Sequence, residues 1–279
     1  MDLYLGDGRV PSEAWPSSSF YDFLSWYAPE LLPRGRPRQG SPIADGLSHG
    51  TTIVATVHER GVVLASDRRA TAGNMISKRD VDKVFRSDEF SAVAIAGTLG
   101  LGLEFARLFQ VELEHHEKME GRPLSLMGKA YRLAALVKSN LSAAMQGLVV
   151  VPMFVGYDQD SGTGRIFSYD PTGGPSEERG FHTIGSGSVF AKGALKKLYT
   201  ENMPTEDAVL CCVQALYDAA DDDSATGGPD MARRIYPVAV TVTDEGFSRI
   251  PEAEMAEIAG QVVEGRMSSP DGPVARLRA

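Results

Sequence analysis

The stretch Gly50-Thr-Thr-Ile-Val-Ala-Thr-Val57, together with Gly61-Val-Val-Leu-Ala-Ser-Asp-Arg-Arg69 after it, carries the pattern that decides the fold. Both segments are rich in β-branched residues and begin at a glycine, so each is predicted to form a strand. The polar residues His58, Glu59 and Arg60 between them are typical of a hairpin connection. We therefore expect the fold to begin with an antiparallel strand pair.

The length of that connection determines which residue faces Asp67. If the connection has three residues, Val57 pairs with Gly61, and Thr51 lies directly opposite Asp67 on the same face. A four-residue connection shifts the register by one and turns Asp67 away. The sequence leaves both registers open.

The junction between Gly50 and Thr51 separates an irregular leader from the first predicted strand. Threonine is a poor nucleophile unless a base takes its proton, and a freed α-amine, with a pKa of roughly 7.7 to 8.0, can be that base on the same residue. One cleavage before Thr51 would therefore create both nucleophile and base. The alternative is that Gly50 only ends a loop and Thr51 only opens a strand.

Lys83 lies in Val81-Asp-Lys-Val-Phe85, which we predict to be a strand with Lys83 on the same face as Val81 and Phe85. A buried ammonium must be paired or lose its proton, and Asp67 is the candidate partner. The cation would then lower the pKa of a nearby amine and hydroxyl. The alternatives are an edge strand with a solvated amine at Lys83 and a turn or surface carboxylate at Asp67.

Six short motifs occur in the order expected of a proteasome β subunit. They are Gly50-Thr51-Thr52, Ser66-Asp67-Arg68-Arg69-Ala70-Thr71, Asp82-Lys83-Val84, Ala96-Gly97-Thr98, Gly185-Ser186-Gly187-Ser188 and Asp223-Ser-Ala-Thr-Gly-Gly228. From about residue 45 to about residue 250 the chain resembles the bacterial proteasome β subunits, which are N-terminal-nucleophile threonine peptidases. Any one motif recurs by chance, whereas six in the right order are specific.

The resemblance implies roles for the matching residues. Thr51 is the implied nucleophile, and Asp67 and Lys83 are implied to tune it. The matching serine and aspartate, Ser186 and Asp223, are implied to orient the terminal amine and relay protons. Thr226 is implied to join them, although the wider family often has serine at this position. Taken alone, Ser186 is equally typical of a helix cap.

The resemblance also implies where a substrate binds. Gly97 would offer its backbone N–H to the oxyanion, although a glycine there is also typical of a strand-to-helix turn. The implied substrate-binding positions are Ala70, Thr71, Ile95 and Leu99. Because the side chains matching the primary pocket, those of Ala70, Ile95 and Leu99, are apolar, we expect cleavage after hydrophobic residues.

The order of predicted elements is strands, two helices, strands, two helices, strands. Apolar spacing predicts helices over residues 101–119, 124–146, 188–200 and 205–220. Later strands are predicted over residues 90–96, 148–157, 165–169, 235–242 and 246–250. Two sheets stacked face to face with helix pairs outside form an α+β, four-layer αββα sandwich, which is the N-terminal-nucleophile hydrolase fold that the resemblance implies.

Composition and length agree with one catalytic domain plus extensions. We interpret residues 1–50 as a propeptide removed on maturation, 51–265 as the proteasome β-type catalytic domain, and 266–279 as a flexible C-terminal tail. The net charge of −9 argues against a nucleic-acid surface. The sequence contains no signal-peptide pattern and no run of 18 apolar residues, so we expect a cytoplasmic protein without a membrane partner.

The implied function is that of a threonine endopeptidase precursor cut between Gly50 and Thr51. The resemblance implies seven-membered β rings stacked between rings of α subunits, with a ring ATPase acting through the α rings to deliver protein substrates. We expect no cofactor and no metal. Two alternatives stay open, an N-terminal-nucleophile amidohydrolase acting on a small amide and a catalytically silent ring subunit, and the presence of Thr51, Asp67 and Lys83 together argues against the second.

Two further patterns suggest other chemistry. Gly46-Leu-Ser-His-Gly50 fits the Gly-x-Ser-x-Gly motif of serine hydrolases, which would make Ser48 a nucleophile, but that motif needs a strand before it and a helix after it. The neighbouring histidines His115 and His116 point apart on a helix and are predicted to be solvated. Neither His58 nor His182 has the context of a catalytic triad.

Overall fold

The computed structural model describes residues 50–145, 147–170 and 172–273. In these residues the strands are β1 (Thr52–His58), β2 (Gly61–Ser66), β3 (Ala70–Ala72), β4 (Met75–Lys78), β5 (Val84–Asp88), β6 (Ser91–Gly97), β7 (Val150–Asp158), β8 (Thr163–Tyr169), β9 (Pro175–Glu178), β10 (Phe181–Gly185), β11 (Val238–Thr243) and β12 (Gly246–Arg249). The helices are α1 (Leu99–Glu120), α2 (Leu126–Ser139), α3 (Leu141–Ala144), α4 (Ser188–Leu198), α5 (Thr205–Asp222) and α6 (Glu252–Ser268).

Two antiparallel sheets form the centre of the described part of the chain. The first has the strand order β10-β1-β2-β11-β12, and the second has the order β5-β6-β7-β8-β9. The strands β3 and β4 form a separate two-stranded ribbon. Every residue of β2 is buried, so this strand reads as a continuous apolar run without the alternation of a half-exposed strand.

Three apolar clusters hold the layers together. Ile53 and Leu64 of the first sheet meet Met153 of the second in the layer between the sheets. The opposite face of the first sheet packs on α4, α5 and α6 through residues that include Val54. The outer face of the second sheet packs on α1 and α2, where Phe109 meets the Phe154 ring edge to face, with 5.6 Å between ring centroids. The layer order is helices, sheet, sheet, helices, which confirms the predicted αββα sandwich.

The hairpin between β1 and β2 differs from both registers considered above. His58 pairs with Gly61, so the connection has only the two residues Glu59 and Arg60. His58 stays in the strand because its side chain is buried and its Nδ1 accepts a hydrogen bond from the Arg60 N–H, at 3.3 Å. Asp67 therefore lies opposite Thr52, so neither of the two connections that the sequence left open is the observed one.

The segment around Lys83 also differs from the prediction. Strand β5 begins at Val84, so residues 81–83 precede the strand. One further ladder bond, from the Ile95 N–H to the Lys83 carbonyl at 3.1 Å, fixes the backbone at this point. The Lys83 side chain is nevertheless buried, with 2% of its surface exposed, so the alternative of a solvated amine is wrong.

The second long helix ends earlier than predicted. Helix α2 ends at Ser139, and the short α3 follows from Leu141. The predicted end of this helix, residue 146, lies outside the described residues, as does the predicted propeptide except Gly50. Among the described residues, no helix has the length and apolar character needed to cross a membrane.

The C-terminal helix α6 was not predicted. Its apolar residues Met255, Ala259 and Val262 pack against the helical layer over the first sheet, but polar residues and Gly260 between them blur the helical period. The expected domain end at residue 265 lies inside this helix. Arg266, which the prediction assigns to a flexible tail, is buried and forms an ion pair with Asp218 at 2.5 Å.

Candidate active site

Thr51 lies directly before β1 and is buried, with 4% of its surface exposed. Its hydroxyl donates a hydrogen bond to the carbonyl oxygen of Gly50, at 2.5 Å. Its backbone N–H donates to Ser186 Oγ at 3.4 Å, and its carbonyl accepts from the Ser186 N–H at 2.8 Å. The predicted nucleophile is therefore held beside the carbonyl of the peptide bond that we expect to be cut.

Gly50 fits a space that excludes any side chain. A Cβ added at this position would lie 2.5 Å from Thr71 Oγ1, 2.6 Å from Ala225 Cβ and 2.7 Å from the Ala225 carbonyl oxygen. Side chains do not approach one another this closely, so the backbone on the leader side of the junction accepts only glycine here.

Lys83 and Asp67 form a buried ion pair. Lys83 Nζ donates to Asp67 Oδ1 at 2.6 Å and to the Arg69 carbonyl at 2.7 Å. Burial lowers the pKa of the Lys83 ammonium below its usual value, and the Asp67 carboxylate opposes this effect. The predicted partner of Lys83 is thus the observed one.

Backbone groups fix the Asp67 carboxylate from several sides. Besides Lys83, it accepts hydrogen bonds from the N–H groups of Thr52 (2.9 Å), Arg69 (2.8 Å) and Gly227 (3.0 Å). Asp67 follows the last residue of β2, where the chain leaves the ladder, so the alternation of strand faces does not govern its direction. A buried carboxylate with this many donors is held in one orientation.

Ser186, Asp223 and Thr226 form a second hydrogen-bonded group. Ser186 Oγ and Thr226 Oγ1 both donate to Asp223 Oδ2, each at 2.6 Å. Burial alone would raise the pKa of Asp223, but the hydrogen bonds from Ser186, Thr226 and the Ala225 N–H, together with the Arg69 charge, lower it. The Asp223 carboxylate is therefore ionised at neutral pH. It is connected to Thr51 through Ser186, whose Oγ bonds to both residues.

An apolar pocket opens beside Thr51 and Lys83. Of the four predicted substrate-binding residues, Ala70, Ile95 and Leu99 line it. Thr71 is not among the lining residues and instead faces Gly50, where its hydroxyl limits the space for a side chain.

Gly97 ends β6 at the edge of this pocket. Its φ of +105° lies in the region that favours glycine, and a Cβ there would overlap the Val149 carbonyl oxygen. Both readings of Gly97 agree with this position, because the residue makes the strand-to-helix turn and also lines the pocket that contains Thr51.

Three residues of this site were missed in the sequence. Thr52 is fully buried and contacts both groups described above. Arg69 Nη1 donates to the carbonyls of Ser224 and Thr226, at 3.1 and 3.0 Å. Gly227 supplies one backbone donor to Asp67. Each of the three lies close in sequence to a predicted site residue, which was the only indication of a role. Hydrogen bonds that involve the backbone cannot be predicted from the type of the residue.

The structure places the histidines of the alternative patterns but not Ser48. Ser48 lies outside the described residues. His115 and His116 are on α1, and His58 is at the far end of β1 from Thr51. Over residues 50–145, 147–170 and 172–273, no group of three or more His, Cys, Asp or Glu side chains is arranged to hold a metal ion.

Comparison with known proteins adds an independent observation. The sequence profile of the family described as proteasome subunit matches residues 47–232. The chain is 58% identical over 271 residues to proteasome subunit beta 2 of Thermomonospora curvata, covering 96% of this chain and 97% of that protein. It is 58% identical over 275 residues to proteasome subunit beta of Streptomyces griseus, covering 97% of each chain. For the proteasome subunit beta of Acidothermus cellulolyticus the identity is 55% over 279 residues, with 97% and 95% covered.

Proposed function

The chain belongs to the proteasome subunit family and has the peptidase function of a proteasome β subunit, and we propose that its chemistry is of the threonine type, with Thr51 as the nucleophile. One observation carries the proposal. Thr51, whose hydroxyl lies beside the Gly50 carbonyl, lines the same pocket as the buried amine of Lys83.

Maturation would begin with attack of Thr51 Oγ on the carbonyl carbon of Gly50. A C–O bond forms, the C–N bond to Thr51 breaks, and the Thr51 nitrogen takes the hydroxyl proton, which leaves an ester. Water then hydrolyses this ester to a Gly50 carboxylate and a free Thr51 with its amine. The short distance between Thr51 Oγ1 and the Gly50 carbonyl oxygen supports this reaction.

Substrate cleavage would use the new amine as the base. It accepts the proton of the Thr51 hydroxyl, directly or through a water, as Oγ attacks the scissile carbonyl, and the acyl-enzyme is then hydrolysed. The Lys83 cation, held by Asp67, lowers the pKa of the amine and favours the alkoxide. The Gly97 N–H stabilises the oxyanion, and a donor of this kind is typically worth about 3 to 4 kcal/mol in the transition state.

The proposal also covers the cleavage preference, the propeptide and the assembly of the subunit. Ala70, Ile95 and Leu99 give an apolar wall, which favours cleavage after hydrophobic residues. As a member of this family the chain assembles with other proteasome subunits. We propose residues 1–50 as the propeptide, a β ring of seven, α rings served by a ring ATPase, and a cytoplasmic location, in line with the family resemblance of the sequence.

Replacement of Thr51 and of Lys83 tests the threonine chemistry. Thr51→Ala should abolish both self-cleavage and peptide hydrolysis. Lys83→Ala should slow both by two orders of magnitude or more while the subunit still folds and assembles, because the cation that tunes the amine is lost. The measurements are the intact mass of the chain and the hydrolysis rate per assembled particle.

Lys129→Ala is the matched control for Lys83→Ala. Lys129 is also buried and ion-paired, to Asp88 at 2.7 Å, but it is not among the residues that line the pocket with Thr51. Its loss should lower stability and leave the rate per assembled particle close to that of the wild type. A Thr51→Ala particle with near-normal activity would reject Thr51 as the nucleophile, and an assembled Lys83→Ala particle with near-normal activity would reject the electrostatic role.

A further inference from the structure

Thr52, the residue after the proposed nucleophile, forms hydrogen bonds with the Lys83–Asp67 pair and with the group that contains Asp223 and Thr226. Its backbone N–H donates to Asp67 Oδ1 at 2.9 Å, the same oxygen that accepts from Lys83. Its hydroxyl lies 2.6 Å from Thr226 Oγ1 and accepts from the Gly187 N–H at 3.0 Å. The residue is fully buried, so water does not compete for these bonds.

The direction of each hydrogen bond follows from the Asp223 carboxylate. An ionised carboxylate only accepts, so Thr226 must donate its single hydroxyl proton to Asp223 Oδ2. Thr226 Oγ1 then has no proton left for Thr52, and the Thr52 hydroxyl must be the donor in that pair. The Gly187 N–H completes this series of hydrogen bonds by donating to a lone pair of Thr52 Oγ1.

The same argument orients Ser186. Its single hydroxyl proton goes to Asp223 at 2.6 Å and not to the Thr51 carbonyl at 3.3 Å, because the charge-assisted bond is shorter and stronger. Ser186 Oγ is therefore left as an acceptor for the Thr51 nitrogen. After cleavage, one amine proton is directed to Ser186 and the amine lone pair remains free for the Thr51 hydroxyl.

Gly187 connects the hydrogen bonds of Thr52 with those of Ser186, because it bonds to the Thr52 hydroxyl and is the neighbour of Ser186 in the sequence. A Cβ at Gly187 would lie 2.5 Å from Thr52 Oγ1, 2.8 Å from Thr226 Oγ1 and 3.0 Å from Ala219 Cβ, so the turn is packed directly on the Thr52 hydroxyl. Any movement of that hydroxyl moves the turn, and the turn carries the acceptor of the Thr51 amine.

We infer that Thr52 is a positioning residue for the Thr51 amine, acting through the hydrogen-bonded chain from Gly187 through Thr52 and Thr226 to Asp223. This inference rests on the proposed function, since it assigns a task to the freed amine. Thr52 does not touch the substrate pocket. Its effect should therefore fall on kcat and on the ionisation of the amine, and not on substrate binding.

The test is Thr52→Val, which keeps the shape of the side chain and removes the hydroxyl. We expect kcat per processed active site to fall on the order of tenfold, since a small misplacement of a reacting group has an effect of this size or larger. KM should change less than about twofold because the pocket is untouched. The acid limb of kcat/KM should move to lower pH by about 0.5 unit, because the protonated amine loses part of its acceptor.

Two variants separate positioning from structure. Thr52→Ser keeps the hydroxyl and should restore both kcat and the acid limb. Thr56→Val is the matched control, because Thr56 is also fully buried in β1 but its hydroxyl contacts Cys212 Sγ, at 3.3 Å, away from the site. It should leave kcat and the pH profile unchanged.

The outcomes are distinct from those that test Thr51. If Thr51→Ala is inactive but processed Thr52→Val has the kcat and acid limb of the wild type, Thr52 has no positioning role and the threonine mechanism stands. A Thr52→Val chain that folds poorly yet has normal kinetics per processed site also overturns the inference. If Thr52→Val does not assemble, Thr226→Val replaces it in the test, because it removes the hydroxyl that connects Thr52 to Asp223. This variant must then show the same shift of the acid limb.

Discussion

Gly50 lies where a side chain has no room, and this gives a prediction at the scale of one residue. Gly50→Ala places a methyl group against Thr71 Oγ1, Ala225 Cβ and the Ala225 carbonyl oxygen. The junction must move, and the Gly50 carbonyl moves away from Thr51 Oγ. We expect self-cleavage to slow on the order of a hundredfold, measured by the intact mass of the chain over time after assembly.

A second substitution checks the steric cause. Thr71→Ala removes the nearest of the three obstructing atoms, so Gly50→Ala/Thr71→Ala should cleave faster than Gly50→Ala. The rescue should be incomplete, because the Ala225 carbonyl oxygen belongs to the backbone and stays in place. Self-cleavage of Gly50→Ala at the wild-type rate would show that the junction tolerates a side chain.

Residue types and their order were enough to predict the buried partners of the site. An ammonium in an apolar segment needs a carboxylate, and the Lys83–Asp67 pair has that chemistry at 2.6 Å. The same reasoning had no access to Thr52, Arg69 or Gly227. Their contacts use backbone N–H and carbonyl groups, which nearly every residue has, or a buried hydroxyl, which several residue types have.

At the scale of elements, the β1–β2 hairpin and the start of α5 meet at His58. The ring Nδ1 accepts from the Arg60 N–H and lies 3.2 Å from the Thr205 hydroxyl, while Nε2 is buried and has no hydrogen-bond partner among the residues that the structure describes. Burial and the charge of Arg60 lower the pKa of His58 to about 4, and Glu206 only partly opposes this. Because the buried His58 is neutral in the folded protein, the stability of the fold depends on pH through this residue.

The sign of the effect follows from proton binding. Between pH 6.5 and about 4 the unfolded chain binds a proton at position 58 and the folded chain does not, so acidification favours unfolding. His58 contributes its full stability above pH 6.5 and loses it progressively down to about pH 4. A shift of this size corresponds to about 3 kcal/mol at most.

His58→Asn tests this linkage, because the amide oxygen can accept the bond that Nδ1 accepts and does not titrate in this range. The difference between the urea midpoints at pH 7.5 and pH 4.5 should be smaller in His58→Asn than in the wild type. His115→Gln is the control, since His115 is exposed on α1 and its replacement should leave the difference unchanged. Equal pH dependence in His58→Asn and the wild type would exclude His58 as its source.

Element boundaries show what periodicity can and cannot predict. The four principal helices could be predicted because each has one apolar face, although α2 ends earlier than predicted. The central strands β2 and β11 could be predicted because they are apolar runs buried along their whole length. The hairpin register was wrong because a buried His58 looks polar in the sequence and was assigned to the connection. Helix α6 was missed because it buries a narrow stripe and also carries a buried arginine, Arg266, paired with Asp218.

At the scale of the whole molecule, the outer helical layer is more apolar than a solitary subunit needs. Helix α1 exposes Leu103, Leu108 and Val111, each with 45% or more of its surface accessible, and the β3–β4 ribbon exposes Met75. Exposed apolar residues grouped on one element are typical of surfaces that become covered on assembly. This agrees with the membership of the chain in a family whose subunits assemble with one another.

Maturation should change the whole molecule in a way that the sequence makes easy to detect. Both tryptophans of the chain, Trp15 and Trp26, precede the Gly50–Thr51 junction, and the chain after it contains none. Cleavage followed by release of the leader should therefore leave a subunit without tryptophan emission.

We expect the mature subunit in an active particle to begin at Thr51, because the proposed mechanism uses the free α-amine of that residue as the base. Intact mass and N-terminal sequencing measure the cleavage, and tryptophan emission of this subunit, separated from the particle, measures release of the leader. Thr51→Ala is the control, and its chain should keep its full mass and its emission. A fully active particle whose catalytic chains still carry residue 50 would refute the mechanism, because the Thr51 nitrogen would remain an amide with no basic lone pair.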